Sequence, residues 1–373
     1  MKTYETEKHF LRRDIDTIFL MMGNECNLNC RYCLQHPLVD KPISHEINSD
    51  IYDFIEQICR ENINIPLDLR FWGGEPLVFF PNIVTVVKEI KNRDLPVSFS
   101  TMTNGKLLTD SMMDFFLENN FNFSLSWDGR NSIKTRGYDA IQDKKDLLFR
   151  CPDLCVSAVL SAYAYPKQIC EDFQWIDNEY FNIHNKHLRL NVDDIFNTGY
   201  LPDDLLNIDY DLVSEQILEL SLVYLEDKTN DKWPNDHYAI DNYIGKLYNN
   251  IKNYYVDRDG QWYNEWCCCG NGYTTLDMDL QGNLYPCHNT SHSIGNINDG
   301  YFKYLRKLIK EDSTFRHHYD NTCKNCLAIS YCHGGCKLVS DENRELSYCK
   351  LKKSIILPLL TLLEKYGEEV SSI

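Results

Sequence analysis

Three cysteines near the start of the chain have a spacing that suits an iron–sulfur cluster with one free iron. Cys26, Cys30 and Cys33, the cysteine triad, lie within a run of eight residues. Thiolates are the usual ligands of 4Fe–4S clusters, and an odd number of cysteines cannot be paired completely in disulfides. Three thiolates would hold three irons of such a cluster and leave the fourth open to a substrate. The triad therefore predicts chemistry on a bound substrate rather than electron transfer alone.

Cysteine is abundant in the rest of the chain as well. There are 16 cysteines among 373 residues, and nine of them follow residue 266. The amino terminus has no apolar signal region, so an oxidising compartment and disulfides are not indicated. Metal or cluster ligation is then the better explanation for the two cysteine groups. The scattered Cys59 and Cys155 lie in apolar patterns and are predicted to be core thiols.

The composition limits the classes of function. The formal net charge is −17, which argues against binding to the phosphate backbone of nucleic acid. No stretch of about 18 uncharged apolar residues occurs, so we expect no membrane-spanning helix. We therefore expect a cytoplasmic protein that binds neither nucleic acid nor membrane. The longest apolar run, residues 355–363, predicts a packed terminal helix in spite of Pro358.

Strand-like and helix-like segments alternate in the first half of the chain. The predicted strands cover residues 16–22, 67–72, 97–102, 121–127, 154–160 and 187–192, and further helices are predicted at 209–226 and 241–255. Such alternation implies parallel strands joined by right-handed crossovers, and six units fall short of a closed eight-fold barrel. We predict an α/β fold with a partial (β/α)6 TIM-like barrel. The predicted domains are the barrel at 1–208, a helical bridging region at 209–260 and a cysteine-rich domain at 261–373.

Four segments that could do chemistry follow predicted strands directly. They cover residues 26–33, 73–76, 103–105 and 126–129. The carboxyl ends of parallel strands meet at one edge of a sheet, where loops carry the working residues of such folds. The sequence therefore predicts a single site at this edge.

Two of these segments together resemble a known family. The cysteine triad, with the aromatic Tyr32 before its last member, is followed after the next strand by Gly73–Pro76, which reads Gly-Gly-Glu-Pro. This pair of motifs resembles the signature of the radical S-adenosylmethionine (SAM) enzymes. The resemblance implies that SAM chelates the open iron through its amino nitrogen and a carboxylate oxygen. An electron from the cluster then breaks a C–S bond of SAM and gives a 5′-deoxyadenosyl radical, which abstracts hydrogen from the substrate.

The resemblance also implies a set of residues around SAM. Residues 103–105 match a Thr-Asn-Gly turn of the family, Ser126 lies in a segment whose serine contacts SAM, and Arg136 lies where an arginine pairs with the SAM carboxylate. The residues expected to bind the cofactor are Tyr32, Gly73, Gly74, Glu75, Pro76, Asn104, Ser126 and Arg136.

Cysteines in the second half of the chain resemble the SPASM domain, which holds two auxiliary 4Fe–4S clusters. Its pattern of seven positions is matched by Cys269, Cys287, Cys323, Cys326, Cys332, Cys336 and Cys349. Zinc would suit an isolated pair of cysteines with two residues between them. Seven matched positions beside a radical SAM core favour clusters instead.

The same resemblance implies which cysteines hold which cluster. The first auxiliary cluster would take Cys267, Cys269, Cys287 and Cys336, and the second would take Cys323, Cys326, Cys332 and Cys349. In an extended chain Cys268 points away from its two neighbours, so we treat it as the spare thiol. Whether Cys267 is a ligand stays open, and without it the first auxiliary cluster would also have a free iron.

Three functions are compatible with these patterns. The first is a maturase of ribosomally synthesised peptides, an oxidoreductase-type enzyme that installs a thioether or carbon–carbon cross-link. The second is an anaerobic sulfatase maturase, which oxidises cysteine or serine to formylglycine. The third is an iron–sulfur electron-transfer protein without catalysis, which the open triad and Gly73–Pro76 argue against.

His288 bears on the choice between the first two functions. The pair Cys287-His288 resembles several peptide maturases, and His288 is the candidate catalytic residue. Sulfatase maturases have an aspartate base at this position, although a histidine can also accept a proton. The nearby Asp277 and Asp279 are interpreted as structural.

The expected partners follow from the first function. The substrate would be a peptide or protein. Some 25 residues precede Cys26, fewer than a leader-binding domain needs. We therefore expect recognition by the core domain or by a separate leader-peptide-binding protein. An electron donor such as flavodoxin or ferredoxin is also expected.

Overall fold

Alternating apolar and polar residues form six parallel strands. The computed structural model describes residues 15–38, 43–61, 66–230, 235–256, 274–299, 307, 321–332, 334–336 and 338–370. The strands are β1 (Thr17–Met21), β2 (Leu67–Trp72), β3 (Val97–Thr103), β4 (Asn122–Ser126), β5 (Cys155–Leu160) and β6 (Arg189–Asp194). Each strand is parallel to its neighbour, and the spatial order is β6-β5-β4-β3-β2-β1. The predicted α/β fold with a parallel sheet is confirmed.

Helices cover the connections between these strands and the chain beyond them. They are α1 (Asp50–Glu61), α2 (Phe80–Asn92), α3 (Asp110–Glu118), α4 (Ser132–Arg136), α5 (Ala140–Leu148), α6 (Pro166–His184), α7 (Asp203–Leu206), α8 (Tyr210–Thr229), α9 (Tyr238–Val256), α10 (Asn321–Lys324), α11 (Ile329–Cys332), α12 (Asp341–Asn343) and α13 (Cys349–Val370). Short 3-10 helices at Pro76–Phe79 and Gly129–Asn131 follow β2 and β4 closely and shape the loops of the site. Among the described helices, none has the length and apolar content of a membrane span.

A seventh parallel strand comes from the cysteine-rich half of the chain. β7 (Thr275–Asp279) pairs in parallel with β1, and β8 (Asn283–Tyr285) and β9 (Gly295–Asn296) continue the same sheet in antiparallel fashion. The predicted domain boundary near residue 260 falls within residues 257–273, which lie outside the described part. The division into domains therefore stays a prediction. The shared sheet brings the segment after β8 to the edge where the sequence motifs lie.

The terminal apolar run lies within α13, which packs against α8. Ile355 and Leu359 are fully buried. Pro358 has no N–H, so the carbonyl of Ser354 one turn earlier has no helical donor. The hydroxyl of Ser214 in α8 donates to that carbonyl at 3.1 Å. The packing of α8 on α13 thus satisfies the backbone group that the proline leaves without a partner.

Candidate active site

A cavity of about 380 Å³ opens at the carboxyl edge of the parallel sheet. The structure brings the cysteine triad, all of the predicted SAM contacts and the candidate catalytic residue to its wall. These lining residues are Cys26, Cys30, Tyr32, Cys33, Gly73, Gly74, Glu75, Pro76, Asn104, Ser126, Arg136 and His288. The motifs therefore converge on one space, as the strand order requires.

The three thiols of the triad lie close enough for their charges to interact. Burial raises the pKa of each thiol, and that of Cys30 reaches about 12. The neighbouring Cys33 and Cys26 raise the pKa of Cys30 further, while the guanidinium of Arg136 lowers it. Buried thiolates this close repel one another unless positive charge lies among them. The triad therefore suits a cationic iron–sulfur core.

The arrangement differs from that of a single metal ion. In the described part of the chain, no group of three or more Cys, His, Asp or Glu side chains is arranged to hold one ion. A 4Fe–4S cluster makes a different demand because each thiolate binds a different iron. The three thiolates of the triad would thus bind three irons of one cluster.

Glycine is required where the Gly73–Pro76 turn meets the loop of the cysteine triad. Gly73 has φ +144, and a Cβ there would lie 2.3 Å from the carbonyl oxygen of Gly23. A Cβ on Gly74 would lie 2.3 Å from the carbonyl oxygen of Glu25. The amide of Gly74 donates to Gly23 at 3.0 Å, and the amide of Glu75 donates to Glu25 at 2.9 Å. The Gly73–Pro76 turn therefore lies directly against the backbone that leads into the triad.

We expect Gly74→Ala to push this turn away from the triad loop. The added methyl meets backbone rather than a flexible side chain, so the protein loses about 2 kcal/mol of stability and binds SAM more weakly. Urea unfolding and equilibrium binding of SAM check both effects. Gly245→Ala in α9 is the matched control, because its Cβ would meet only the side chain of Tyr224, at 3.3 Å. Equal effects of the two substitutions would contradict the close approach at Gly74.

Glu75 connects the Gly73–Pro76 turn to the turn at residues 103–105 through hydrogen bonds. Its side chain is buried and accepts hydrogen bonds from Thr103 Oγ1 at 2.6 Å, the Asn104 amide at 2.9 Å and the Leu77 amide at 3.0 Å. Burial raises the pKa of Glu75, and these three hydrogen bonds lower it. Asn104 in turn donates to the side chain of Asn27 in the triad loop at 2.8 Å. One buried carboxylate thus holds the turns after β2 and β3 in a fixed relation.

Asp128 fixes the position of two predicted cofactor residues. This fully buried carboxylate accepts the hydroxyl of Tyr32 and both Nε (3.1 Å) and Nη2 (3.2 Å) of Arg136. It also accepts Thr135 Oγ1 at 2.6 Å and the Val159 amide at 3.0 Å. Burial opposes the charge of Arg136, but Asp128 outweighs this and raises its pKa above the ordinary value. Sequence reasoning placed Asp128 in a motif without recognising this role.

Two residues that line the cavity each have a buried polar atom without a hydrogen-bond partner in the described part of the chain. These atoms are Trp72 Nε1 and Ser157 Oγ. Buried polar atoms are nearly always paired, so a missing partner in a cavity favours a ligand. Ser157 lies opposite Ser126 in the register of β4 and β5. Ser126 ends β4 whereas Ser157 lies inside β5, so only the pairing of the two strands brings Ser157 to the cavity.

His288 also lines the cavity and contacts a buried aspartate. Its Nδ1 is 3.0 Å from Oδ1 of Asp277 on β7. Its ring stacks on Phe19 with centroids 4.4 Å apart and meets the edge of Trp72 at 4.9 Å. The sequence interpretation of Asp277 as purely structural missed this contact. The structural interpretation suits Asp279, which accepts hydrogen bonds in the β7–β8 turn.

Four cysteines of the second half interact with one another. Burial raises the pKa of Cys332 to about 11, Lys352 lowers it, and the neighbouring Cys349, Cys323 and Cys326 raise it. Arg344 Nη1 donates to Cys323 Sγ at 3.0 Å. These thiols are the set expected for the second auxiliary cluster. Of the set expected for the first, Cys287 and Cys336 are described, whereas residues 267–269 lie outside the described residues, so both ligand sets stay predictions.

This chain is similar to a family of iron–sulfur domains and to enzymes that include a radical SAM synthase. A family described as a 4Fe-4S single cluster domain matches residues 17–132. The radical SAM cyclopropyl synthase TigE of Paramaledivibacter caminithermalis is 25% identical over 89% of this chain and 71% of its own. A cysteine-type anaerobic sulfatase-maturating enzyme of Clostridium novyi is 23% identical over 86% of this chain and 87% of its own.

Solved structures share the fold along most of the chain. The structure of anSMEcpe with bound AdoMet has a TM-score of 0.64 at 20% identity and covers 95% of this chain and 99% of its own. Streptococcus suis SuiB bound to the precursor peptide SuiA has a TM-score of 0.61 at 18% identity and covers 90% of this chain and 74% of its own. The parallel sheet and the strands after it thus follow an architecture already known in solved structures.

Proposed function

The chain is an enzyme of the radical SAM type, related to sulfatase maturases and a cyclopropyl synthase, and on this premise we propose that it modifies a ribosomally synthesised peptide. The cysteine triad would hold the cluster at which SAM is cleaved reductively, and the cavity would present a side chain or α-carbon of the peptide for hydrogen abstraction. The product carries a modification such as a thioether or carbon–carbon cross-link. The observation that carries the proposal is the shared cavity of the triad, the Gly73–Pro76 turn and His288.

The cavity residues fit a cluster and SAM. When bound, the reduced cluster supplies the electron that cleaves SAM to methionine and a 5′-deoxyadenosyl radical. The chain contributes three neighbouring thiols, which would repel one another as thiolates without a cation, and also Ser157 Oγ and Trp72 Nε1, which have no hydrogen-bond partner among the described residues. Arg136, held by Asp128, places a guanidinium at the cavity wall, where it can pair with a carboxylate. Gly73 and Gly74 let the turn close on the triad loop.

The proposal includes two auxiliary 4Fe–4S clusters, which makes three clusters in all. Their ligands would be Cys323, Cys326, Cys332 and Cys349 for one, and Cys287 and Cys336 with Cys267 and Cys269 for the other. The thiols of Cys323, Cys326, Cys332 and Cys349 lie close enough to affect one another's pKa, which supports the assignment of this set. These clusters would take up the electron that the substrate releases after hydrogen abstraction. A flavodoxin- or ferredoxin-like donor would reduce the cluster of the triad, and a separate protein could present a leader peptide.

Peptide substrates are supported by what similar proteins bind. Solved structures with this fold contain the Cp18Cys peptide in anSMEcpe and the precursor peptide SuiA in SuiB. The second candidate function is sulfatase maturation, which the similarity to the Clostridium novyi enzyme over 86% of this chain supports equally. His288, paired with Asp277, stands where that subfamily has its aspartate base.

Two peptides distinguish the candidates. The reconstituted enzyme is incubated anaerobically with SAM, dithionite and either a precursor peptide encoded beside its gene or a cysteine-containing sulfatase peptide. We expect the precursor peptide to lose two hydrogens and to show a cross-link in tandem mass spectra. Formylglycine in the sulfatase peptide, with the precursor unchanged, would establish sulfatase maturation instead.

A further inference from the structure

Asp277 and His288 form a pair that no sequence motif predicted. Asp277 is fully buried on β7, and its Oδ1 lies 3.0 Å from Nδ1 of His288. A carboxylate can only accept a hydrogen bond, so Nδ1 carries the hydrogen. In the neutral ring, Nε2 is then an acceptor. Within the described residues no hydrogen bond to Nε2 is found.

The surroundings hold the plane of the imidazole ring. Phe19 stacks on it with an interplanar angle of 21°, and Trp72 meets it edge-on at 66°. Gln35 Nε2 donates to the carbonyl of His288 at 3.2 Å. Phe19 and Asp277 are paired in the register of β1 and β7, so the parallel pairing itself places the carboxylate beside the ring. With Nδ1 turned to the strand and the ring on the cavity wall, Nε2 is the nitrogen available to the cavity.

The hydrogen bonding of Asp277 differs from that of a structural aspartate. Its Oδ2 is buried without a hydrogen-bond partner in the described part of the chain, and its single side-chain hydrogen bond there is to His288. Asp279, two residues later, accepts from the Gln281 and Asn283 amides and from the hydroxyl of Tyr285. A buried carboxylate with so few partners lowers stability. Its position is therefore explained better by the imidazole than by the turn.

We infer that Asp277 is a positioning residue, which holds His288 in the tautomer whose Nε2 accepts a hydrogen bond from the peptide residue being modified. The inference rests on the proposed function and deepens it, because it requires an N–H or O–H donor on the substrate beside the site of hydrogen abstraction. When His288 is not held in this tautomer, SAM is still cleaved, but the substrate residue is no longer held at the site of hydrogen abstraction. The consequence is cleavage of SAM without modification of the peptide.

The test compares product formed per 5′-deoxyadenosine released in the reconstituted holoenzyme. In Asp277→Asn the amide can donate to Nδ1, which moves the ring hydrogen to Nε2 and removes the acceptor. In serine proteases the same exchange beside a catalytic histidine costs about 10⁴-fold in kcat. We expect at least a tenfold lower coupling ratio here, with release of 5′-deoxyadenosine within about twofold of wild type. His288→Gln should lower the ratio as much, and the double variant should add no further loss.

A second histidine–aspartate pair supplies the matched control. Asp177 is buried, its Oδ2 lies 2.7 Å from Nδ1 of His187, and this ring stacks on Tyr238 at 3.9 Å. His187 precedes β6, so the pair lies at the opposite end of the sheet from the cavity. Asp177→Asn removes the same chemical contact and should keep the coupling ratio of wild type. A fall as large as that of Asp277→Asn would overturn the inference, because loss of stability alone would then explain it.

A measurement without turnover separates this inference from the proposed function. Nitrogen-15 spectra of histidine-labelled holoenzyme should show the Nδ1–H tautomer of His288 in wild type and the Nε2–H tautomer in Asp277→Asn. An unchanged tautomer in the variant overturns the inference even where the peptide is modified normally. A wild-type enzyme that shows the expected tautomers but leaves every peptide unmodified refutes the proposed function alone.

Discussion

Cys30→Ala is expected to abolish cleavage of SAM. Burial raises the pKa of the Cys30 thiol to about 12, and the charges of Arg136, Cys33 and Cys26 act on this thiol. Two remaining thiolates cannot hold a cluster that is anchored through three irons. The variant should lose the iron of one cluster, about four atoms per chain, and should release no 5′-deoxyadenosine. Iron analysis and chromatography of the anaerobic reaction measure both quantities.

Cys170→Ala is the control for the loss of a buried thiol. Cys170 is 4% exposed within α6 and belongs to the apolar core. Its removal should cost about 1 kcal/mol, the transfer of one small group from the core, and should leave iron content and SAM cleavage unchanged. Cleavage by Cys30→Ala at the rate of this control would contradict the assignment of the triad.

Asp128→Asn is expected to have the second largest effect. Asp128 is the counter-ion of the buried Arg136 and also accepts hydrogen bonds from Tyr32, Thr135 and Val159. Removing one partner of a buried ion pair leaves an uncompensated charge and costs about 3–5 kcal/mol. The loop that carries Tyr32 and the helix that ends at Arg136 then lose their common anchor. We expect lower stability in urea together with weaker SAM binding.

An exposed ion pair provides the comparison for Asp128. Lys186 pairs with Asp153, and their side chains are 53% and 50% exposed. Lys186→Ala should therefore cost less than about 1 kcal/mol and should not affect SAM binding. If Asp128→Asn unfolded at the same urea concentration as Lys186→Ala, the buried network would not have the anchoring role that the contacts indicate.

The sequence predicted the parts of the fold that depend on local pattern. Each of the six strands was found within about two residues of its observed ends, because alternation and flanking glycines act over short distances. The placement of the motifs after β1–β4 followed from the parallel order alone. The whole predicted set around SAM accordingly lines one cavity.

Pairings between distant segments could not be predicted in this way. β7 lies beside β1 although roughly 250 residues separate them, and no local period encodes that choice. Asp277 was therefore interpreted as structural, since its partner His288 is apparent only when β7 joins the sheet. Ser157 was missed for a related reason: a serine in an apolar strand gains meaning only from its place beside Ser126 at the cavity.

Release of 5′-deoxyadenosine is the decisive assay for radical SAM chemistry in this chain. The protein is purified anaerobically, reconstituted with iron and sulfide, and mixed with SAM and dithionite in the absence of air. We expect 5′-deoxyadenosine and methionine in equal amounts, increasing with time and absent without reductant. A protein with its full iron content that leaves SAM intact under these conditions would contradict it.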